Sequence, residues 1–336
     1  MNVKISLLGL AVLLGGCGAN SPSATSTGNP STVSDSTEFN CLANSPWLAY
    51  GEGLHGSSAN TVPEPASVAA VSSQPQCVDN QAFRFGMGKA DITGYAAGAP
   101  LLGIESPTIY TSGIYTRMYA RSMIVESPCN GKRVALVVAD VGLFYESERQ
   151  IVLERIAADP DLAGIYTQEN LMMNATHTHT GPGGQAHHLA YNTLRAGHEP
   201  EALEVVVDGI MRSLKQAHQA IEDTEVSGSI LLNQGELLGA NKSRAIPAYN
   251  NNPEAERDQY LDDSGNPIYT PRLMSLLKLI NQDGTAAGSI NWFGVHPTSD
   301  HQTQEYSGAF PISGDNKGYA ALHMERIFAS SNPNFV

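Results

Sequence analysis

Short apolar runs bounded by polar or turn residues recur along the chain from Phe83 onward. "RSMIVE" (121–126), "RVALVVA" (133–139), "NLMMNAT" (170–176) and "VSGSILLN" (226–233) have the length and composition of strands. "LMSLLKLINQDGTAAGSINWFGV" (273–295) reads as two strands joined by a turn at Asn281 to Gly284, because Asp-Gly favours a hairpin. Between these runs the period changes. "SERQIVLERIAA" (147–158) opens with Ser147 and has Gln150 three residues on, the spacing of a capping box, and it closes before Pro160. "PEALEVVVDGIMRSLKQAHQAIED" (200–223) puts Leu203, Val206, Ile210, Leu214 and Ile221 on one face, as a helix packed on a sheet requires. Strands and helices alternate early and a strand pair follows. The predicted fold class is therefore α/β, a mixed β-sheet core with packed helices and with both faces of the central strands buried.

The N-terminal residues follow a different pattern. "MNVKISLLGLAVLLGGC" carries Lys4 and then an apolar stretch of signal-peptide length, too short to span a bilayer. It ends in Leu14-Gly15-Gly16-Cys17, which resembles the bacterial lipobox, so residues 1–17 are expected to be a lipoprotein signal with Cys17 as the lipidated residue. Residues 18–80 are rich in Ser, Thr, Asn, Pro and Gly and suit a tether. Residues 81–336 form the folded part. The implied location is exported and lipid-anchored to a bacterial membrane, facing periplasm or exterior. Export favours oxidised cysteines. Cys41–Cys77 is the expected pair, which leaves Cys129 over. The balance of 33 acidic against 19 basic residues gives a net charge of −14, which argues against nucleic acid as a partner.

The chain has 10 histidines, and two of them stand one residue apart in "NATHTHTGPGG" (174–184). If the strand of 170–176 continues into His177, then His177 and His179 share a face. A second apolar run, "GSINWFGVHPTSDH", leads into His296 and then Pro297. Two strands each ending in histidine suggest neighbouring strand ends that donate imidazoles to one metal. Hydrolytic zinc sites usually hold three protein ligands, so a third is needed. Asp140, at the end of "RVALVVAD", is expected to orient a ligating histidine. Asp315 in "ISGDNKGY" reads as a turn capping the following helix, and His301 is the reserve ligand. His187, His188, His198, His218 and His323 are expected to be solvated or structural. The competing reading makes His177 and His296 buried, hydrogen-bonded structural residues. The metal reading requires the His177 and His296 nitrogens to lie within about 6 Å of each other.

"GMGKADITG", "NATHTHTGPGG", "NQGELLGANKSR", "NNNPEAERDQY", "GSINWFGVHPTS" and "ISGDNKGYA" occur in this order and together resemble the neutral (non-lysosomal) ceramidase family, from Gly86 to about Ile327. The resemblance implies hydrolysis of the N-acyl bond of ceramide, giving sphingosine and a fatty acid, at a Zn2+ ion. It implies zinc ligation by His177 and His296, and a pocket role for His179 in hydrogen-bonding the zinc-bound water or the substrate amide. The family's pocket arginine falls in "NKSRAIP", where either Lys242 or Arg244 can supply the charge. The family's further glutamate and tyrosine ligands and its serine segment have no counterpart in these 336 residues. The chain is thus expected to be the N-terminal portion of a larger zinc amidase domain, incomplete at "FASSNPNFV", with the partner of Cys129 in the continuation. Two other functions use the same residues: a metal-dependent hydrolase of another acyl amide or ester, and a non-catalytic surface lipoprotein on the same scaffold.

Overall fold

The computed structural model describes residues 82–94, 96–102, 109–188, 191, 198–223, 227–300 and 309–336. Cys17, the tether of 18–80 and His301 lie outside the described residues, which all belong to one unit, Pro65–Val336. The main sheet has seven strands: β1 Phe83–Asp91, β4 Tyr119–Glu126, β5 Arg133–Ala139, β6 Leu171–Ala175, β7 Ser227–Glu236, β8 Leu273–Asn281 and β9 Ala286–Trp292. Two short strands, β2 Ala97–Pro100 and β3 Tyr110–Ser112, pair separately. The helices are α1 Glu146–Ala158, α2 Pro200–Asp223, the single turns α3 Ile246–Tyr249 and α4 Glu254–Arg257, and α5 Asp315–Phe328. Among the described residues, no helix is long and apolar enough to cross a membrane.

Strand order is β6-β5-β4-β1-β7-β8-β9, with β5 and β6 parallel and the other pairs antiparallel. This is the mixed sheet that the pattern predicts. The β8–β9 turn closes as expected, with Asn281 N donating to Thr285 O at 2.8 Å and Gly284 at φ +85°. The five apolar residues named on α2 are all buried.

Within the main sheet, β1 is the strand the apolar pattern does not reveal, because Gly86 and Gly88 stand where alternating apolar side chains would. Those glycines let α2 lie directly on the strand. A methyl group at 86 would stand 1.9 Å from Ala217 O, and one at 88 would stand 2.0 Å from Ser213 O. Across the same contact, the Ser122 and Ser213 hydroxyls are 2.7 Å apart.

The opposite face of β1 has another cover. β1 and β7 share only two register pairs, Phe83 with Gly228 and Arg84 with Ser227. Beyond them the β7–β8–β9 leaf departs from the plane and turns back over the first leaf. Phe85 and Met123 pack there against Leu279 and Ala287 in a second apolar cluster. A methyl at Gly288 would meet Met87 Cε at 2.2 Å, which shows how near β9 comes to β1. Helix α5 and the residues after it join the leaves. Glu325 Oε1 accepts from Arg121 Nε at 2.7 Å on β4, and Asn332 Nδ2 donates to Ala286 O at 3.1 Å on β9. Ser289 N donates to Val336 O at 2.9 Å, the contact that Phe335-Val336 make beside β9.

Two expectations need correction. The N-terminus of α1 is two residues earlier than the Ser147–Gln150 spacing implies: Tyr145 is the cap, and its N–H donates to Glu148 Oε2 at 2.6 Å. The Glu148 carboxylate satisfies an orphan amide of the first turn there, which Gln150 is too far along to reach. Cys129 is disulfide-bonded. It is therefore not the cysteine left over.

Glu148 is fully buried, and burial pushes its carboxyl up to about 7 against the opposing Tyr145 hydrogen bond. From the unfolded value of 4.5 up to about 7, the native state holds a proton that the unfolded chain has lost, so stability falls as pH rises through that window. Urea unfolding should show Glu148→Gln near wild type at roughly pH 4 and more stable by about 3 kcal/mol at roughly pH 8. Gly88→Ala should cost at least ~1–3 kcal/mol by the same measurement. Gly235→Ala, where nothing lies within 4 Å of the added methyl, should stay within about 0.5 kcal/mol of wild type.

Candidate metal centre

Strand β6 ends at Ala175, before either histidine. The chain still tracks β5 for two residues, with Thr176 N on Ala139 O and His177 N on Val141 O, both at 2.9 Å. At His177 the backbone then turns into the left-handed region, φ +66°. The two imidazoles therefore do not share a face by strand alternation. They meet because the turn after His177 brings His179 back beside it. Thr178 and Thr180, which alternate with the histidines, are fully buried and donate to Ser313 O. β9 likewise ends at Trp292, four residues short of His296. β6 and β9 are the two outermost strands of the sheet, not neighbours. The folded-back leaf brings their exits together, and His179 N donates across to Pro297 O at 3.3 Å.

The resulting cluster is tight. The rings of His177 and His179 have centroids 4.8 Å apart, those of His177 and His296 5.2 Å, and those of His179 and His296 4.5 Å. One nitrogen from each lies within 4.8 Å of the others. The Nε2 atoms of His177 and His179 are 3.2 Å apart, against about 3.3 Å for two nitrogens on one tetrahedral zinc. His177 Nδ1 donates to Gly142 O at 2.7 Å, which fixes the tautomer and leaves the Nε2 lone pair facing the cluster. His296 is exposed overall, yet desolvation on its inner side lowers its pKa from the ordinary imidazole value; the positive fields of His177 and Arg244 add to this, and Asp315 opposes it. A neutral imidazole is the form that ligates. Donor type, tautomer and spacing all fit a divalent metal.

The remaining predicted residues are placed as follows. Asp140 is fully buried, but its Oδ2 accepts from Tyr119 N and Arg121 Nη1, both at 2.9 Å, rather than from a histidine. Orientation of His177 falls instead to the Gly142 carbonyl. A backbone group leaves no mark in the sequence. Asp315 is the first residue of α5 and its carboxylate accepts the first-turn amide of Asn316 at 2.5 Å, as expected of a capping group; it also accepts Ser299 N at 3.1 Å and Asp300 N at 3.0 Å. Lys242 and Arg244 are both exposed, and the positive charge of Arg244 contributes to lowering the His296 pKa. Their loop is pinned by Asn241 Nδ2, which donates to Gly294 O at 2.7 Å, two residues before His296. Of the other histidines, His218 is buried on the Tyr166 hydroxyl at 3.1 Å, His198 bonds the Gly184 and Ala186 carbonyls, and His323 stacks on Tyr319. Ser313, which bonds both threonines of the histidine turn, was not anticipated; the Thr-His alternation of "THTHT" was its only trace.

The family model for neutral/alkaline non-lysosomal ceramidase, N-terminal, matches residues 83–336. The neutral ceramidase of Pseudomonas aeruginosa is 36% identical over 253 residues, which cover 75% of this chain and 35% of that protein. Neutral ceramidase 2 of Arabidopsis thaliana is 36% identical over 76% of this chain and 31% of its own length. Among solved structures, neutral ceramidase from Pseudomonas aeruginosa superimposes with a TM-score of 0.67 at 34% identity, over 77% of this chain and 38% of that one. A ceramidase complexed with C2 superimposes with a TM-score of 0.66 at 34% identity, over 76% and 37%. The chain thus spans about a third of the length of these relatives. With the histidine motifs and the mixed sheet both inside the matched span, the chain belongs to the neutral/alkaline non-lysosomal ceramidase family.

Proposed function

We propose that this chain carries the histidine half of a zinc amidohydrolase site that cleaves the N-acyl bond of ceramide to sphingosine and a fatty acid. The observation that carries this reading is the convergence of His177, His179 and His296 within 4.8 Å, inside a family match. His177 and His296 hold the metal in this assignment, which when bound supplies Lewis acidity toward the amide carbonyl and lowers the pKa of water. His179, held against His177 at 3.2 Å, is placed to pass a proton to the departing nitrogen. Arg244 brings positive charge to the same side, suited to the carbonyl oxygen as it gains negative charge. Residues in the part of the relatives beyond this span would complete the ligand set. Cys17 is proposed as a lipid attachment site that keeps the protein at the membrane where its substrate resides.

Metal content reads this proposal directly. The purified chain should bind zinc. His177→Ala and His296→Ala should each lose at least tenfold in zinc affinity, whereas His179→Ala should retain metal and lose N-acylsphingosine hydrolysis in a chain extended to the length of its relatives. Full zinc in the His177 or His296 variant would refute the assignment. A substrate panel that favoured other acyl amides or esters would replace ceramide. In metal-free protein, Arg244→Gln should raise the His296 titration midpoint, read from imidazole proton shifts, while Lys242→Gln should leave it in place.

A further inference from the structure

We infer that Ser313–Lys317, the segment that opens α5, is a clamp setting the distance between the two histidine-bearing segments, and that its side chains are positioning residues for the metal centre. The inference rests on the reading of the three histidines as a metal site. It adds a function for the "SGDNK" stretch, which contributes no ligand.

The clamp holds the His296 segment on both sides of the histidine. Lys317 Nζ donates to Phe293 O at 2.6 Å, before it. Asn316 Nδ2 donates to the His296 carbonyl itself at 3.2 Å and to Ser299 Oγ at 3.3 Å. The Asp315 carboxylate accepts the Ser299 and Asp300 amides, after it. The same segment grips the other histidines from within. Ser313 O accepts from Thr178 Oγ1 at 2.9 Å and from Thr180 Oγ1 at 3.1 Å, and Ser313 N donates to Thr180 O at 3.1 Å. Ser313 Oγ meanwhile donates to Asp300 Oδ2, so one serine touches both segments.

Two features show that this is a built arrangement. Asp315 is 2% exposed and adopts φ +51°, a conformation that is strained for a non-glycine residue and persists where surrounding bonds fix it. The clamp also has a rigid base. Arg121, buried on β4, bonds Asp140 at 2.9 Å and Glu325 at 2.7 Å, and Asp140 lies against Gly314 and Gly318, so both ends of α5 are fixed to the first leaf. A methyl at Gly314 would stand 3.2 Å from the Asp140 carboxyl carbon and 2.8 Å from Gly318 Cα. The path is continuous from β4 and β5 through α5 to His296, and through Ser313 to His177 and His179.

The test compares Asp315→Asn and Asn316→Ala in the full chain with Leu162→Ala, a core truncation outside the clamp and the histidine segments. Zinc affinity is measured by chelator competition, and amide hydrogen exchange is measured on the metal-free proteins. Asp315→Asn should weaken zinc binding by at least tenfold, in the range lost when groups orienting metal ligands are removed. It should also speed exchange at Ser299 and Asp300 while β4 amides stay protected. Asn316→Ala should act in the same direction, about threefold or more, and serves if Asp315→Asn does not fold. Leu162→Ala should lower the Tm and leave zinc affinity and the exchange at 299 and 300 unchanged. Wild-type zinc affinity in both clamp variants, or an equal loss in Leu162→Ala, would overturn the inference. If the wild-type chain bound no zinc, the metal reading would fail on its own; unchanged exchange at Ser299 and Asp300 in the variants would then separately overturn the clamp.

Discussion

The packing of Phe85 and Met123 against Leu279 and Ala287 holds the β7–β8–β9 leaf over β1 and β4. The centre depends on that contact, because β6 and β9 are opposite edges of one sheet. In a flat sheet of seven strands spaced about 4.8 Å apart, their exits would be separated by roughly 29 Å. Folded over, they meet closely enough for His179 N to reach Pro297 O at 3.3 Å. The fold-back is possible because β1 and β7 are paired only over two residues, which leaves the rest of β7 free to diverge. Gly86 and Gly88 contribute from the other side by letting α2 seat on β1, so that the strand is covered on both faces.

Charge is distributed around the centre in a way that follows from burial. The three imidazoles are the groups able to ligate while neutral, and partial desolvation and nearby positive charge lower the pKa of His296, although the residue is exposed overall. The adjacent carboxylates are engaged elsewhere. Asp140 is tied to Arg121 and Tyr119, and Asp315 to the amides that follow Thr298. A buried carboxylate costs several kcal/mol unless it is paired or hydrogen-bonded, and both meet that condition through groups that fix backbone geometry. Asp300, half-buried near Asp315, has its pKa raised by desolvation first and by the Asp315 charge, with the Ser313 hydroxyl opposing. Acidic residues here therefore shape the segments, and the histidines supply the donor atoms.

Much of the architecture is determined locally. Apolar runs place β4, β5, β6 and the β8–β9 hairpin, and helical periodicity gives the buried face of α2, because each depends on side chains a few residues apart. The histidine motifs are local too, and so is the family resemblance they carry. Local reading failed where a glycine replaced the expected apolar residue, as in β1, and where a backbone carbonyl did the work of a side chain, as at Gly142. It also misjudged the turn at His177, since nothing in "NATHTHTG" signals φ +66° at a histidine.

The amino-acid sequence by itself determined which residues can donate to a metal and that they follow apolar strand-forming runs. Only the tertiary structure decided that they come together in one cluster and that Asp140 serves Arg121 rather than an imidazole. The physical reason is range. Strand and helix patterns are set by neighbours along the chain, whereas the meeting of residues 177 and 296 depends on how two leaves of a sheet pack, a contact between side chains nearly 200 positions apart.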